Sequence, residues 1–359
     1  LFIVSYGMGV WIGGLISFQS CRLLAERGYP VSVITPGSNK QEVFKALARL
    51  APLYGQVILG GYPPFVKDVL DEAPKHGFDP AKTPLKILCA AEGFSETFRD
   101  YIVKGAGAGR PAFDTSSIYG TADIGTMAIE TPVAISLRRQ AVLDPKLHDA
   151  LFPETTRLPT LAQFHPAITD FHEHEGELLV SGGSALPLVR YALGDRGGVI
   201  GYDEALRRAA DVSPEGAAAV RKEIGRSALP LPFVYVYERA DFSVKLYGAI
   251  IYAEHVRSGL QAAALTPYVT GKFSMATERD ERQDEYLEID VELKAGVDPG
   301  EKIRLLVRDA VDEGLKRKSA EYRYLSDSLH GRVTPRITLW PHEHPEHFRP
   351  GAKQRWVKK

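Results

Sequence analysis

The chain has 359 residues, in which 44 lysines and arginines face 45 aspartates and glutamates, and its formal net charge is −1. This balance argues against a dedicated nucleic-acid-binding protein, whose surface would be basic. No apolar run reaches the ~20 residues of a membrane-spanning helix. Cys21 and Cys89 lie in apolar surroundings without metal-binding spacing, so we expect buried, reduced thiols in a cytoplasmic protein.

Short apolar strands alternate with helical patterns of about ten residues in the first third of the chain. The predicted strands are 2–4, 31–34, 56–59, 85–91 and 115–119, and the predicted helices are 15–27, 40–50, 65–73 and 94–103. This alternation predicts βα units on a largely parallel sheet. The chain begins inside an apolar strand, so we expect that an N-terminal part of this domain is missing from it.

The pattern changes twice further along the chain. Beyond about residue 130, proline-rich connections separate the strands EGELLVSG, ALPLVRY and GGVIGY, which indicates a β-rich subdomain. From 252 onward the order is helix (252–264), strands (272–277 and 286–293), long helix (299–320) and strand (333–340). We therefore predict an α/β protein with a large N-terminal α/β domain over 1–239 and a small C-terminal α+β domain over 240–359.

The stretch SSIYGTADIGT, residues 116–126, is the first candidate for chemistry. It follows a predicted strand, and ligands bind at the carboxyl ends of strands in open α/β sheets. There the ring of Tyr119 can stack on a planar base, and Thr121 offers a hydroxyl. Asp123 is a hard oxygen ligand suited to Mg²⁺ on a nucleotide phosphate. The alternative is an ordinary turn.

Three other stretches add weaker signals, each with a structural alternative. In ALPLVRYALGDRGG, Asp195 can accept two hydrogen bonds from a ribose diol, or form a simple turn. In ERADFSVKLYG, Arg239 and Asp241 bracket the domain boundary and fit either a hinge or a solvated linker. In LCAAEGFSE, the small residues let a flat ligand approach the backbone, while Ser95 fits a helix cap.

Taken together and in this order, the motifs resemble the adenylate-forming superfamily, most closely its phenylacetate–CoA ligase-like branch. The motifs are SYGMG, CAAEGFSE, IYGTADIG, GELLVSGGSALPLVRYALGD, RADFSVKLYGAIIYAEHV and RPGAKQRWV. The resemblance covers essentially the whole chain and is most specific over residues 175–195.

The resemblance implies ATP-dependent activation of a carboxylic acid, aryl or otherwise apolar, as an acyl-adenylate. Transfer to coenzyme A would follow, with ATP, Mg²⁺ and coenzyme A as the molecules bound and the C-terminal domain as a rotating lid. Three alternatives stay open: adenylation alone, transfer to a protein thiol, and a non-catalytic nucleotide- or acyl-binding member. A homodimer is common in that branch.

The resemblance also implies residue roles. Tyr119 would stack on adenine, Asp195 would bind the ribose hydroxyls, Asp123 would hold Mg²⁺, and Lys353 would contact the carboxylate and the α-phosphate. The remaining implied site consists of the adenine and phosphate neighbours Ala91, Glu92, Gly93, Ser117, Gly120, Thr121 and Arg239, the acid pocket Tyr6, Gly7 and Trp11, and the hinge pivot Asp241.

The chain departs from the branch's pattern at several positions. Ala122 replaces a hydroxyl residue, Asp123 is one methylene shorter than the usual glutamate, and Phe242 replaces the second acid of the hinge motif. Ala253 replaces a proline, and the lysine of RPGAKQRWV is displaced by one position. The Gly/Ser/Thr-rich phosphate loop of the family would lie upstream of the first strand.

A histidine cluster in WPHEHPEHFRPG is the remaining candidate. His342, His344 and His347 lie close in sequence and could hold a metal. Prolines interrupt the run, and it lacks both a partner cysteine and the H-E-x-x-H spacing that places ligands on one helix face. A metal site is therefore disfavoured at this cluster.

Overall fold

The computed structural model describes residues 1–8, 12–91, 93–153, 158–183, 186–237, 243–247, 249–280, 285–329, 331–350 and 356–357. The chain divides into two compact units, Leu1–Glu238 and Arg239–Lys359. Among the described residues, no helix is both long and apolar enough to cross a lipid bilayer.

The first unit begins with alternating strands and helices. The strands are β1 (Phe2–Ser5), β2 (Val33–Ile34), β3 (Val57–Gly61), β4 (Leu85–Ala90) and β5 (Thr115–Thr121). The helices are α1 (Ile12–Glu26), α2 (Lys40–Arg49), α3 (Pro63–Glu72), α4 (Glu96–Gly105) and α5 (Pro111–Asp114). The strands pair in parallel in the order β2-β1-β3-β4-β5, which confirms the predicted βα organisation.

The two faces of this parallel sheet are covered by different helices. Side chains of α2, α3 and α4 pack with Ile3, Leu59 and Ile87 into one core. Phe2 and Val4 alternate with Ile3 along β1 and pack with Cys21 of α1 into a second core. Alternation along a strand therefore supplies both cores, as a parallel sheet covered on both faces requires.

The sheet continues from β5 through antiparallel strands. These are β6 (Gly125–Ile129), β7 (Thr160–Gln163), β8 (Thr169–His174), β9 (Glu177–Gly182), β10 (Leu188–Ile200) and β11 (Phe233–Val236). Within the described residues the whole sheet has eleven strands, and after β5 the order is β6-β7-β11-β10-β9-β8. The predicted strands ALPLVRY and GGVIGY overlap the two ends of the single long strand β10, which spans Leu188–Ile200.

The same region contains helices that the sequence analysis did not predict. They are α6 (Pro132–Leu143), α7 (Pro145–Leu151), α8 (Tyr202–Val212) and α9 (Pro214–Ile224), and they share one core with Phe233. Three of them begin with proline. Proline in the first turn of a helix loses no hydrogen bond, so these prolines mark helix starts and not only loops.

The second unit is a small α+β structure with its own core. Its elements are β12 (Ser243–Leu246), β13 (Ala249–Tyr252), α10 (Ala253–Leu260), β14 (Val269–Arg279), β15 (Glu285–Leu293), α11 (Glu301–Lys318), α12 (Ala320–Leu329) and β16 (Arg336–Trp340). β14 pairs antiparallel with β15, and β15 pairs in parallel with β16. The predicted order of helix, two strands, helix and strand is observed, although the long helix ends at Lys318 and α12 follows separately.

Candidate active site

The carboxyl ends of β4 and β5 lie side by side at one edge of the parallel sheet. Ala90 is in register with Ile118, so the next residues, Ala91 and Tyr119, both lie at this edge. Ala91 is exposed and has a φ of 82°, a left-handed conformation that residues with a Cβ atom rarely adopt. Strained backbone clusters at ligand sites, and ligands bind at this edge in open α/β sheets.

Tyr119 lies opposite a β-bulge in the hairpin of β5 and β6. It pairs with Ala128, whereas Gly120 pairs with Thr126, so one residue of β6 has no opposite partner. A Cβ atom on Gly120 would lie 2.4 Å from the carbonyl oxygen of Gly125, which explains why glycine occupies this position. The extra residue is Met127 of β6, so the ladder is locally disrupted opposite Tyr119 and Gly120.

Asp195 lies in a second irregular stretch, in the middle of β10. Ala192 pairs with Leu179 and Arg196 pairs with Glu177, so the intervening residues of β10 outnumber those of β9. Gly194 has a φ of 74°, and its N–H donates to the Glu177 carboxylate across 3.2 Å. This geometry leaves Asp195 only 6% exposed. A buried carboxylate needs hydrogen-bond donors around it.

The Tyr119 hydroxyl donates a hydrogen bond to Oδ2 of Asp195 across 2.7 Å. The two residues are 76 positions apart in the chain, and the fold brings them together from β5 and β10. The Tyr119 ring lies 6.0 Å from the ring of Phe171, at an interplanar angle of 23°, and is partly exposed. An aromatic ring and a hydrogen-bonded carboxylate thus share one site.

The loop from β4 to α4 borders this edge. A Cβ atom on Gly93 would lie 2.8 Å from Oγ1 of Thr160, so a larger residue would displace that neighbour. Ser95 caps α4 by accepting a hydrogen bond from the N–H of Phe98, so the prediction that Ser95 fits a helix cap is confirmed. On the neighbouring strand β5, Ser117 is buried opposite Cys89 of β4.

Thr121 is the last residue of β5, and Asp123 lies in the turn that leads to β6. Asp123 is exposed, and Oγ1 of Thr121 accepts a hydrogen bond from the N–H of Ile124 across 3.3 Å. Among the described residues, no group of three or more histidine, cysteine, aspartate or glutamate side chains is arranged to hold a metal. One carboxylate beside one hydroxyl still fits Mg²⁺, which keeps several waters and binds chiefly through substrate phosphates.

Tyr6 follows β1 and is buried. Its hydroxyl donates to the carbonyl of Leu88 across 2.7 Å, and its ring packs with Phe2 and Val4. Burial, with a smaller contribution from Cys89, holds the pKa of Tyr6 well above its ordinary value of 10. The hydroxyl is therefore a structural hydrogen-bond donor. Gly7, the next residue, is partly exposed.

Several predicted site residues lie outside the described residues. They are Glu92, Trp11, Arg239, Asp241 and Lys353. Their roles stay predictions.

A buried network of charged residues behind the β4–α4 loop was missed by the sequence analysis. Arg99 is fully buried, and it donates to Glu96, to Thr115 and, through one nitrogen, to both carboxylate oxygens of Glu130 at 2.9 Å. Arg138 is also buried and pairs with Glu96. The available signal was the pair Arg138–Arg139 inside the apolar helix sequence PVAISLRRQAVL.

Glu96 is ionised at neutral pH because of its arginine neighbours. Burial alone would raise the pKa of this carboxyl. Arg99, Arg138 and Arg139 together outweigh burial and hold the pKa of Glu96 below its ordinary value of 4.5. Charges buried in this way persist only when they are paired.

The histidine cluster of the second unit contacts Trp340. The rings of Trp340 and His347 stack at 3.7 Å, and His344 lies 4.6 Å from Trp340. Nδ1 of His347 is 3.8 Å from Asp290. These contacts pack the residues after β16 together.

No model of a known protein family matches the chain, and no curated protein matches it. Two solved structures of CoA ligases are similar to the chain. A 2-hydroxyisobutyryl-CoA ligase in the postadenylation state, in complex with R3-HIB-AMP, matches with a TM-score of 0.63 and 12% identity. That match covers 100% of this chain and 65% of the ligase. An anthranilate CoA ligase in complex with anthranoyl-AMP matches with a TM-score of 0.53 and 13% identity, over 90% of this chain and 52% of its own.

The chain shares its fold with these two CoA ligases. At these identities the likeness concerns the fold, which confirms what the motif resemblance implied about architecture. Within this fold, the predicted nucleotide ligands Tyr119 and Asp195 are joined by a direct hydrogen bond.

Proposed function

We propose that the protein activates a carboxylic acid with ATP. A carboxylate oxygen of the acid attacks the α-phosphorus of ATP, an acyl-adenylate forms, and pyrophosphate leaves. The thiol of coenzyme A then attacks the acyl carbonyl, a thioester forms, and AMP leaves. The motifs of the protein resemble the phenylacetate–CoA ligase-like branch, so we propose that the acid is aryl or otherwise apolar. We also propose that the protein acts in the cytoplasm.

The hydrogen bond between Tyr119 and Asp195 carries this proposal. A nucleoside offers a flat base and, next to it, a ribose diol. A partly exposed ring and a carboxylate held 2.7 Å from its hydroxyl match these two groups in kind and in adjacency. The contact occurs at the sheet edge where this class of fold binds ligands.

The neighbouring residues have complementary roles in the proposal. Ala91, Glu92, Gly93 and Ser117 line the adenine slot, where small residues let the base approach the backbone. Gly120 keeps the hairpin tight beside Tyr119. Arg239 reaches toward the ribose or the phosphates, and Tyr6, Gly7 and Trp11 border the acid pocket, whose aromatic residues suit a flat apolar acid.

Asp123 and Thr121 would hold Mg²⁺ together with the nucleotide phosphates. When bound, the ion would neutralise charge on the phosphates and so lower the repulsion between two anions. Lys353 of the second unit would contact the carboxylate and the α-phosphate. Asp241 would act as the pivot about which that unit, residues 240–359, rotates between the two half-reactions.

The test is ATP–pyrophosphate exchange by the full-length protein against a panel of aryl and medium-chain carboxylates. The variants are Asp123→Ala and, as a matched control, Asp149→Ala, which removes an exposed carboxylate from α7. We expect acid-dependent exchange in the wild type and in Asp149→Ala, and its loss in Asp123→Ala.

Adding coenzyme A to the active pair of enzyme and acid identifies the acceptor. Thioester formation supports the full proposal, and exchange without thioester formation restricts it to adenylation. If ATP binds but no acid supports exchange, the proposal that the protein is an adenylating enzyme is wrong, and the alternative of a non-catalytic nucleotide-binding protein is supported.

A further inference from the structure

Arg138 is a buried side chain that connects three backbone segments beside the candidate active site. It lies on α6 and is 2% exposed. Its Nη2 donates to the carbonyl of Phe94 across 2.8 Å, and its Nε donates to the carbonyl of Pro159 across 2.7 Å. Its Nη1 pairs with the carboxylate of Glu96. The three nitrogens of the planar guanidinium thus have three different partners, an arrangement that the single ammonium group of a lysine could not reproduce.

The segments that Arg138 connects are those that shape the β4–α4 loop. Phe94 lies in this loop, between Gly93 and the helix cap Ser95. Pro159 precedes Thr160, the residue whose Oγ1 closely approaches Gly93. Arg138 therefore fixes both sides of the narrow contact between Gly93 and Thr160.

The charge of Arg138 is balanced inside the same cluster. Glu96 accepts from Arg99 as well as from Arg138, and Arg99 reaches Thr115 at the start of β5 and Glu130 after β6. The loop and the hairpin that carries Tyr119 are consequently joined through buried, charge-assisted hydrogen bonds. Such bonds are short and directional, so they hold their partners in one geometry.

We propose that Arg138 is a positioning residue that sets the distance between the β4–α4 loop and the Tyr119 strand. The proposal rests on the proposed function, because the slot between these two segments is where the adenine of ATP would bind. Arg138 would act through the carbonyls of Phe94 and Pro159 and through Glu96, to which its guanidinium is bonded.

The test compares Arg138→Lys with Ser136→Ala in the full-length protein. Lysine keeps the positive charge beside Glu96 but loses the planar fork to the two carbonyls. Ser136 is 1% exposed on the same helix, and its hydroxyl donates to Glu223 on α9 across 2.6 Å. Its replacement removes a buried hydrogen bond of α6 that does not involve the loop, so it controls for general loss of stability.

Two readouts are measured on each variant: amide hydrogen exchange of residues 93–95 and the dissociation constant of ATP. We expect Arg138→Lys to speed exchange in the loop and to weaken ATP binding by about tenfold to a hundredfold, as a displaced site does. Where turnover is measurable, KM for ATP rises while kcat is kept. Ser136→Ala should match the wild type in both readouts.

Unchanged loop exchange in Arg138→Lys overturns the proposal, as does an equal effect of Ser136→Ala on ATP binding. A wild-type protein that binds no ATP overturns the proposed function instead. In that case the exchange comparison alone decides whether Arg138 fixes the loop.

Discussion

Tyr119, Asp195 and Ala91 each lie where the backbone departs from regular geometry. Tyr119 and Asp195 are at irregular positions of two strand pairs, and Ala91 has a positive φ. Regular strands direct side chains alternately to the two faces of a sheet, and a bulge changes that direction. The Tyr119 hydroxyl and the Asp195 carboxylate meet beside these irregularities.

Gly120 lies next to Tyr119 in the hairpin of β5 and β6, where the two strands approach closely. In Gly120→Ala the new Cβ atom would meet the Gly125 carbonyl oxygen at 2.4 Å, so the hairpin must shift. We expect a loss of about 1–3 kcal/mol in the free energy of unfolding and a weakened contact between Tyr119 and Asp195. Urea denaturation measures the first effect.

The matched control is Gly183→Ala, since a Cβ atom at Gly183 meets nothing within 4 Å. This variant should unfold like the wild type. Equal stability of Gly120→Ala and Gly183→Ala would show that the close approach at Gly120 does not constrain the hairpin.

Sequence alone identified Tyr119 and Asp195 as separate candidates but not their contact. Each stood at the end of a predicted strand, and the family resemblance gave each a role. Their juxtaposition depends on the order of strands between β5 and β10 and on two bulges. Neither the order of strands between two residues 76 positions apart nor a local shift in register can be predicted from the pattern of residue types.

At the scale of elements, the Glu96 network joins α4, α6 and the β5–β6 hairpin. Helix α4 contributes Glu96 and Arg99, α6 contributes Arg138 and Arg139, and Glu130 follows β6. Breaking a buried ion pair by removing one partner costs about 3–5 kcal/mol, since the other charge stays buried. We expect this network to dominate the effect of acid on the first unit.

The pH dependence follows from the pKa of Glu96, which is lower in the folded chain than its ordinary value of 4.5. Such a carboxyl stabilises the fold above its unfolded pKa, and the stabilisation is lost as pH falls through the folded pKa. Glu96→Gln should therefore be much less stable than the wild type at neutral pH, and the gap should shrink below pH 4.5.

Urea titrations of both proteins at neutral pH and at several lower pH values measure this gap. A difference in unfolding free energy that stays constant with pH would mean that Glu96 does not contribute through its charge.

The sequence predicted the parallel βα elements well and the helices between residues 130 and 225 poorly. Clear apolar periodicity and short connections marked the first group. Helices α6, α7 and α9 start at prolines, which also punctuate loops, so the region was interpreted as β-rich. The strands β9 and β10 were identified in part, because β10 contains glycines that resemble a turn.

At the scale of the whole molecule, the chain consists of two compact units, each with its own apolar core. The second unit buries Phe273, Met275 and Val311 completely. Trp356 packs against Phe273 with ring centroids 4.7 Å apart, and the guanidinium of Arg257 lies 4.5 Å from its ring. A core of this kind is typical of a domain that folds by itself.

We therefore expect residues 239–359, produced alone, to unfold in one cooperative transition that the combined fluorescence of Trp340 and Trp356 follows. Gly259→Ala should lower the midpoint, because its Cβ atom would lie 2.6 Å from the Ala310 carbonyl oxygen where α10 crosses α11. Gly300→Ala, with no atom within 4 Å of the new Cβ, is the control. A gradual, non-cooperative change in fluorescence would contradict an independent second unit.

The central claim is that Tyr119 and Asp195 together form a nucleotide site, and calorimetric titration with ATP tests it most directly. Tyr119→Phe keeps the ring but removes the hydroxyl that orients Asp195. Tyr101→Phe removes the same kind of bond elsewhere, since the Tyr101 hydroxyl donates to Asp71 across 2.6 Å. Hydrogen bonds to charged groups contribute about 1.5–3 kcal/mol.

We predict that the wild type and Tyr101→Phe bind ATP with equal affinity and that Tyr119→Phe binds about tenfold more weakly or worse. Absence of ATP binding in the wild type, or equal affinity in all three proteins, would contradict the claim.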